Sequence, residues 1–317
     1  MQEQTRRRFM VSTAAAVAGL CVSRNVQADQ SKKLKGMTLG FSTYGMKVLK
    51  TEAALEHIAK IGFDAVEMTV RADWDSAPGN MDAKRRTSIR NQLKDGGLEL
   101  SSFMEHLYPS DNDAEHAKGL ERLKGVIEMA YDLSPDDPPL IQTVFGGRDW
   151  EKRKNMFLDR LGDWAELGEK NKIVFAIKPH RGGALSKPSE AVWLIGQLKN
   201  TPWVRMVYDY SHYAFRDMPM DDTIKTALPI TAHIAAKDTI MKDGRTQFVL
   251  PGESGNFDFK SLLQQFHKGG YRGDISCEVS GQVWSQKGYD PIAAAKTCYK
   301  NMSAYFQSAG VPRRRLG

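Results

Sequence analysis

Ile173-Val174-Phe175-Ala176-Ile177-Lys178 and Val204-Arg205-Met206-Val207-Tyr208-Asp209 decide how this chain folds. Each is a short, mostly apolar run that ends on a charged residue, with a helix-period segment, Ser189–Leu198, between them. Such runs are expected of parallel strands buried on both faces and joined by a crossover helix.

The unit recurs in both directions. Met37–Ser42, Ala65–Val70, Leu98–Phe103 and Leu140–Phe145 precede the pair, and Ile230–Ala235 and Ile275–Val279 follow it. Helix patterns fall between, at Glu52–Ile61, Glu115–Tyr131, Glu151–Lys170, Phe259–Lys268 and Pro291–Gln307. Leu55, Ile58 and Ala59 show the i, i+3, i+4 stripe that buries one helix face. Gly62, Gly97 and Gly270 stand where a left-handed residue ends a helix before the next strand. Eight such units make a closed (β/α)8 TIM barrel, an α/β fold, the economical topology. An open doubly wound sheet would favour a Gly-rich phosphate loop after its first strand, and Gly40-Phe41-Ser42-Thr43-Tyr44-Gly45 lacks that spacing. With no internal repeat and no low-complexity linker, the body 36–310 reads as a single domain.

Charge narrows the class. The 317 residues carry a formal +7. Residues 1–28 contribute +3 through Arg6, Arg7, Arg8 and Arg24 against Glu3, and Arg313, Arg314 and Arg315 contribute another +3. Removing both leaves +1 for the body, which offers no broad cationic face for nucleic acid. A composition of 41% hydrophobic and 26% charged residues fits an ordinary globular chain rather than a disordered or polytopic membrane one.

The N-terminus reads as an address. Arg6-Arg7-Arg8-Phe9-Met10 precedes an uncharged stretch, Val11–Ser23, and Val26-Gln27-Ala28 suits cleavage after Ala28. This layout predicts export through the twin-arginine machinery to the periplasm or beyond. The apolar stretch is too short for a stable membrane anchor. The twin-arginine route exports folded proteins and so favours a bound metal or cofactor. A short linker, 29–35, follows, and the chain ends in a basic tail, 311–317, expected to be a solvated end. The two cysteines of the body, Cys277 and Cys298, define no disulfide framework, and a homo-oligomer is compatible with the sequence.

In a (β/α)8 barrel, functional groups collect at the C-terminal ends of the strands. Glu67 lies at the second run, Glu105-His106 after the third, Lys178-Pro179-His180 at the fifth and Asp209-Tyr210-Ser211-His212 at the sixth. His233, with Lys237-Asp238 beyond it, belongs to the seventh, and Glu278 to the eighth. Charged groups inside apolar strands are paired, metal-bound or catalytic, because a buried lone charge costs several kcal/mol. Each alone could be a satisfied structural group. Asp209, His233 and Glu278 on consecutive strands offer a donor set suited to Mn, Zn or Co.

These residues, with Val66-Glu67, Ala232-His233-Ile234, Pro251-Gly252-Glu253-Ser254-Gly255 and Cys277-Glu278-Val279, resemble the xylose-isomerase-like TIM-barrel superfamily of sugar isomerases and epimerases. The resemblance spans nearly all of the body. It implies a divalent metal (Mn, Zn, Co or Mg) held by Glu, Asp, His and Glu at the ends of strands five to eight, with Asp209, His233 and Glu278 as the last three ligands. It also implies proton abstraction beside a carbonyl, through an enediolate.

The first ligand departs from the pattern. Where the family usually has Glu-Asn-His or Glu-Pro-His, this chain has Lys178-Pro179-His180. Three outcomes stay open: His180 or His212 completes the metal shell beside Lys178; the metal is lost and Lys178 pairs with Asp209 and Glu278; or the barrel is not an enzyme. Lys178, His180 and Glu278 are the candidate catalytic residues. An ammonium beside a dication would give up its proton readily, making Lys178 a candidate proton shuttle.

Tyr44, Trp74, Tyr108 and Trp284 fall in the same loops, compatible with packing on the C–H faces of a sugar, although ordinary loop packing would also place aromatics there. Glu67, His106, Trp74, Arg148, Arg181, Lys237 and Trp284 are the candidate substrate-binding residues. A free sugar, keto-sugar or glycoside is favoured over a sugar phosphate, since phosphorylated sugars are mostly cytoplasmic. A lyase opening keto-glycosides by β-elimination would use the same chemistry. A non-catalytic periplasmic sugar-binding barrel would keep the aromatic rim and lose the metal. An endonuclease IV-like nuclease is disfavoured by the near-neutral body and the export signal.

Overall fold

The computed structural model describes residues 35–315, so the expected export segment 1–28, most of the linker and the last two residues lie outside the described residues. β1 (Thr38–Ser42), β2 (Ala65–Thr69), β3 (Glu99–Met104), β4 (Leu140–Val144), β5 (Phe175–Lys178), β6 (Val204–Tyr208) and β7 (Thr231–Ala236) alternate with helices. A hairpin of β8 (Asp238–Lys242) and β9 (Arg245–Val249) follows, and then β10 (Asp274–Cys277). β1 to β7 and β10 close into a parallel barrel, in which β10 pairs with both β1 and β7. The predicted runs match these strands to within one or two residues at almost every end.

The helices form the outer layer: α1 (Thr51–Ile61), α2 (Ala83–Asp95), α3 (Asp113–Leu133), α4 (Trp150–Asn171), α5 (Pro188–Gln197), α6 (Met220–Ala227), α7 (Phe259–Lys268), the single turn α8 (Gly281–Trp284) and α9 (Pro291–Ala309). All but the single turn α8 bury apolar residues on one face; Trp164 of α4 packs on Phe145 and on Phe175 of β5, with ring centroids 5.9 and 5.8 Å apart. Burial of such a side chain contributes about 1.5–3 kcal/mol. Gly62 ends α1 at φ 102° and accounts for the sharp return into β2. Among the described residues no helix is long and apolar enough to cross a membrane. Cys277 and Cys298 are free and buried.

Two features differ from expectation. The hairpin β8–β9 was not predicted; its turn, Asp243-Gly244, takes positive φ at both residues (51° and 70°), as a two-residue hairpin turn requires. The tail is not a solvated end. Arg313 bridges to Met37 beside β1, and its guanidinium forks onto Asp64 with two hydrogen bonds of 2.8 Å. Arg314 donates from its single Nη2 to both oxygens of Glu99, at 2.5 and 2.6 Å. Two carboxylates at the N-terminal ends of strands therefore hold the tail, Asp64 by a bidentate match to a guanidinium and Glu99 through one guanidinium nitrogen.

Candidate active site

Alternation along the strands aims every second side chain at the barrel axis. On that rule Lys178 shares its side with Ala176, Asp209 with Val207, Lys237 with Ala235, and Glu278 with Ser276. Ala176, Val207 and Ala235 pack together as a small apolar layer. The four charged residues occupy the next level, at the C-terminal mouth. Lys178 Nζ donates to Glu278 Oε2 at 2.5 Å and lies 3.8 Å from Asp209 Oδ2. Lys237 Nζ donates to Glu278 Oε1 at 2.9 Å and is ion-paired with Asp209 Oδ2 at 3.1 Å. All four are buried.

This tetrad is internally neutral, and the fields of its members explain their protonation. Burial pushes Glu278 towards the neutral acid, but Lys178 and Lys237 outweigh it and hold the carboxyl down at about 2. Asp209 is lowered for the same reason, against its own burial. Lys237 is raised, because the two carboxylates overcome its desolvation. His180 is pushed down to about 3 by burial and then by the two ammonium groups. His212, fully buried with Nε2 3.0 Å from Lys237 Nζ, is held well below its usual value by the same causes. His180 Nδ1 accepts the N–H of Gly182 at 3.1 Å, so in the neutral ring the proton resides on Nε2.

A cavity of about 260 Å³ opens above the tetrad, lined by Lys178, Lys237, Glu278, His180, His212 and His106 among others. Its far wall holds Glu105, whose Oε2 pairs with Arg122 at 2.7 Å, along with Tyr44, Tyr108 and Arg71. Phe248 of the hairpin forms part of the rim, 5.1 Å from Lys237 Nζ by its ring centroid.

The remaining expected residues fall elsewhere. His233 is not level with Asp209 and Glu278. The register pairs Ala236 with Cys277 and Ile234 with Ile275, which sets Lys237 beside Glu278 and His233 beside Asp274. Four residues at about 3.3 Å per residue put His233 some 13 Å lower along β7. There its Nε2 lies 3.1 Å from Glu67 Oε2, which also accepts from Ser102 at 2.8 Å and Gln142 at 2.6 Å. Glu67 and His233 thus belong to a buried polar layer within the barrel. The same layer includes Asp274, whose burial pushes its carboxyl up to about 7.

Trp74 and Trp284 stand behind the cavity wall in a cluster with Tyr44, at ring-centroid distances of 5.5 Å each from the tyrosine. Arg181 donates to the carbonyls of Ser211 and Ala214 at 2.7 and 2.8 Å, bracing the loop after β6. Arg148 is exposed in the loop after β4 and does not line the cavity. Sequence reasoning missed Arg71, although it stands just beyond the end of β2, where the strand-end rule would have found it. It also missed Phe248, whose signal was the Asp243-Gly244 turn. Asp238 accepts from Ser254 at 2.5 Å and so ties the Pro251–Gly255 loop to the hairpin base.

A closed parallel barrel with its polar cavity at the C-terminal strand ends defines a TIM-barrel protein of the kind whose sites are built there. A family model described as xylose isomerase-like TIM barrel matches residues 55–297, and the chain belongs to that family. Among solved structures, a probable 3-DHS dehydratase from Bacillus anthracis is similar at 16% identity and TM-score 0.69, covering 84% of this chain and 99% of that one. The IOLI protein, solved with a binding zinc atom, is 16% identical at TM-score 0.72, over 86% of this chain and 99% of that one. A 3-keto-D-glucoside 4-epimerase from E. coli is 15% identical at TM-score 0.63, over 86% and 99%. No curated protein matches the chain in sequence.

The family's divalent metal does not fit the residues present. Between Asp209 and Glu278, where a dication would have to sit, two ammonium groups already lie in ion-pair contact with both carboxylates, although Asp209 Oδ2 itself accepts no hydrogen bond. An ammonium has no lone pair to donate and repels a cation. His233, the expected nitrogen ligand, is engaged with Glu67. Among the described residues no group of three or more His, Cys, Asp or Glu side chains could hold a metal ion.

Proposed function

We propose that the protein is an isomerase or epimerase of a free sugar or keto-sugar that works through an enediolate, with Lys178 and Lys237 supplying the positive charge. The observation that carries this reading is the convergence of both ammonium groups on ionised Glu278 in the wall of one cavity. Removing a proton beside a carbonyl builds negative charge on the carbonyl oxygen, and fixed cations in a water-poor site stabilise it without reorganising. Glu278 is the base. In the resting site its proton affinity is low because both oxygens are held by lysines. When an ammonium turns to the developing oxyanion, that hold relaxes and the carboxylate can take the proton from carbon. His180, neutral with its proton on Nε2, is a donor for a substrate oxygen. A cavity of about 260 Å³ is small and polar, on the scale of one sugar ring.

The test is solvent exchange. Incubated in deuterated water with a panel of aldoses, ketoses and keto-glycosides, the mature protein is expected to exchange the C–H beside the carbonyl of at least one, equally with and without chelator. An unsaturated product would mark elimination. Binding without exchange anywhere in the panel refutes the enzyme reading in favour of a binding barrel. From residues 1–28 alone we also propose twin-arginine export; retention in the cytoplasm of cells with that pathway intact refutes it.

A further inference from the structure

Taking the cavity as a sugar site, we propose that Arg71 binds a carboxylate of the substrate, so that the site takes a sugar acid in preference to a neutral sugar. The other charged groups of the cavity wall already have partners. Lys178 and Lys237 are matched by Asp209 and Glu278, and Glu105 by Arg122. Arg71 stands apart. It lines the cavity, and its guanidinium lies over aromatic faces, at 4.6 Å from the ring centroid of Tyr44 and 5.6 Å from that of Trp74; no carboxylate hydrogen-bonds it among the described residues, although its field reaches Asp73 and His106. Its Nε is buried without a hydrogen-bond acceptor, and the indole N–H groups of Trp74 and Trp284 in the same cluster also lack one.

The neighbouring carboxylates are committed elsewhere. Asp73 hydrogen-bonds Lys47 at 2.5 Å, and Asp75 serves Lys50 and Arg85. Stacking on the rings fixes the plane of the guanidinium while leaving its N–H edge unused, an arrangement suited to a planar, bidentate acceptor. A carboxylate supplies that shape and the single negative charge that balances the wall. A phosphate dianion would demand a second uncommitted cation, and the other cavity-lining cations are paired.

Calorimetric titration decides it. D-glucuronate and D-galacturonate are compared with D-glucose, D-galactose and D-glucose 6-phosphate, against wild type, Arg71→Met and Arg71→Lys, with melting curves to show that each variant is folded. The acids are expected to bind at least about tenfold more tightly than their neutral counterparts. Arg71→Met should abolish that preference while leaving neutral-sugar affinity in place, and Arg71→Lys should keep part of it. Equal affinity for acids and neutral sugars, or a preference that survives Arg71→Met, overturns the proposal and leaves the sugar-site reading standing. Tighter Arg71-dependent binding of the phosphate overturns the carboxylate assignment. No binding of any sugar, together with no proton exchange in the wider panel, overturns both.

Discussion

Replacing Lys237 by Met separates the tetrad's electrostatics from its packing, because the new side chain keeps much of the volume and loses the charge. Asp209 and Glu278 would then share Lys178 alone. The magnitude follows from two routes. Glu278 is held at about 2 against an ordinary 4.5, and at about 1.4 kcal/mol per unit this is on the order of 3 kcal/mol of native-state stability at neutral pH, of which Lys178 supplies the larger share and Lys237 the rest; Asp209, lowered chiefly by Lys237, adds to the loss. Breaking a buried ion pair by removing one partner costs about 3–5 kcal/mol. A loss of about 3–5 kcal/mol at pH 7 is therefore expected, a large share of the 5–15 kcal/mol typical of a fold. The sign with pH is distinctive. In the wild type a depressed carboxyl contributes stability above its unfolded value, and that contribution fades as pH falls towards 2. In the variant Asp209 keeps only Lys178 at 3.8 Å, its burial prevails, and its carboxyl rises above its unfolded value, so the native form gains stability as pH falls. The two proteins should converge by about 2 kcal/mol between about pH 7 and about pH 4. Asp274 is common to both and cancels. Urea unfolding at the two pH values measures this; a loss under about 1 kcal/mol, or a gap that does not change with pH, refutes the tetrad as described.

Two further outcomes are expected. Adding Zn²⁺ or Mn²⁺ should neither raise the melting temperature nor bind stoichiometrically, and chelator should remove nothing; a stoichiometric transition metal in the purified protein would refute the assignment of the cation site to lysine. Arg313→Ala should cost about 3 kcal/mol, because Asp64 is left buried with the Leu39 N–H at 3.0 Å and, for a cation, Arg315 at 3.2 Å. A melting temperature within a degree of wild type would return the tail to the status of a solvated end.

The barrel was legible because its strands announce themselves by apolar runs, and most of them a second time by a charged residue at or near the C-terminal end. The site was legible in part. Lys178, Asp209, Lys237 and Glu278 could all be named from strand ends, but their partners depend on level as well as on facing. Residues 233, 235 and 237 share one side of β7, and only the pairing of β7 with β10 says which of them meets Glu278. A family pattern that expects histidine there points to His233, and the register chooses Lys237. Arg71 was passed over for a different reason: the strand-end rule reaches its position, but the missing acceptor at its Nε, which sets it apart, leaves no mark in sequence. The tail was misread because its carboxylates, Asp64 and Glu99, are far away in the chain.

Two lysines in place of a dication preserve the charge and change the chemistry. The pair carries +2, balanced by Asp209 and Glu278. A metal of the same charge would offer open coordination positions to substrate oxygens, drawing them in by inner-sphere bonds. Ammonium groups offer directed hydrogen bonds, and here several of those are spent on the carboxylates. On the proposed enediolate reaction a substrate oxygen would compete with Glu278 for Lys178 or Lys237, and that competition would free the base. Charge stabilisation and base activation would then be one event, triggered by the oxyanion itself. It also follows that this site should bind a neutral carbonyl weakly and its enediolate strongly, since only the charged form can draw an ammonium away from a carboxylate 2.5 Å distant. Remote contacts must then hold the ground state, and a guanidinium on the opposite wall is well placed to supply one.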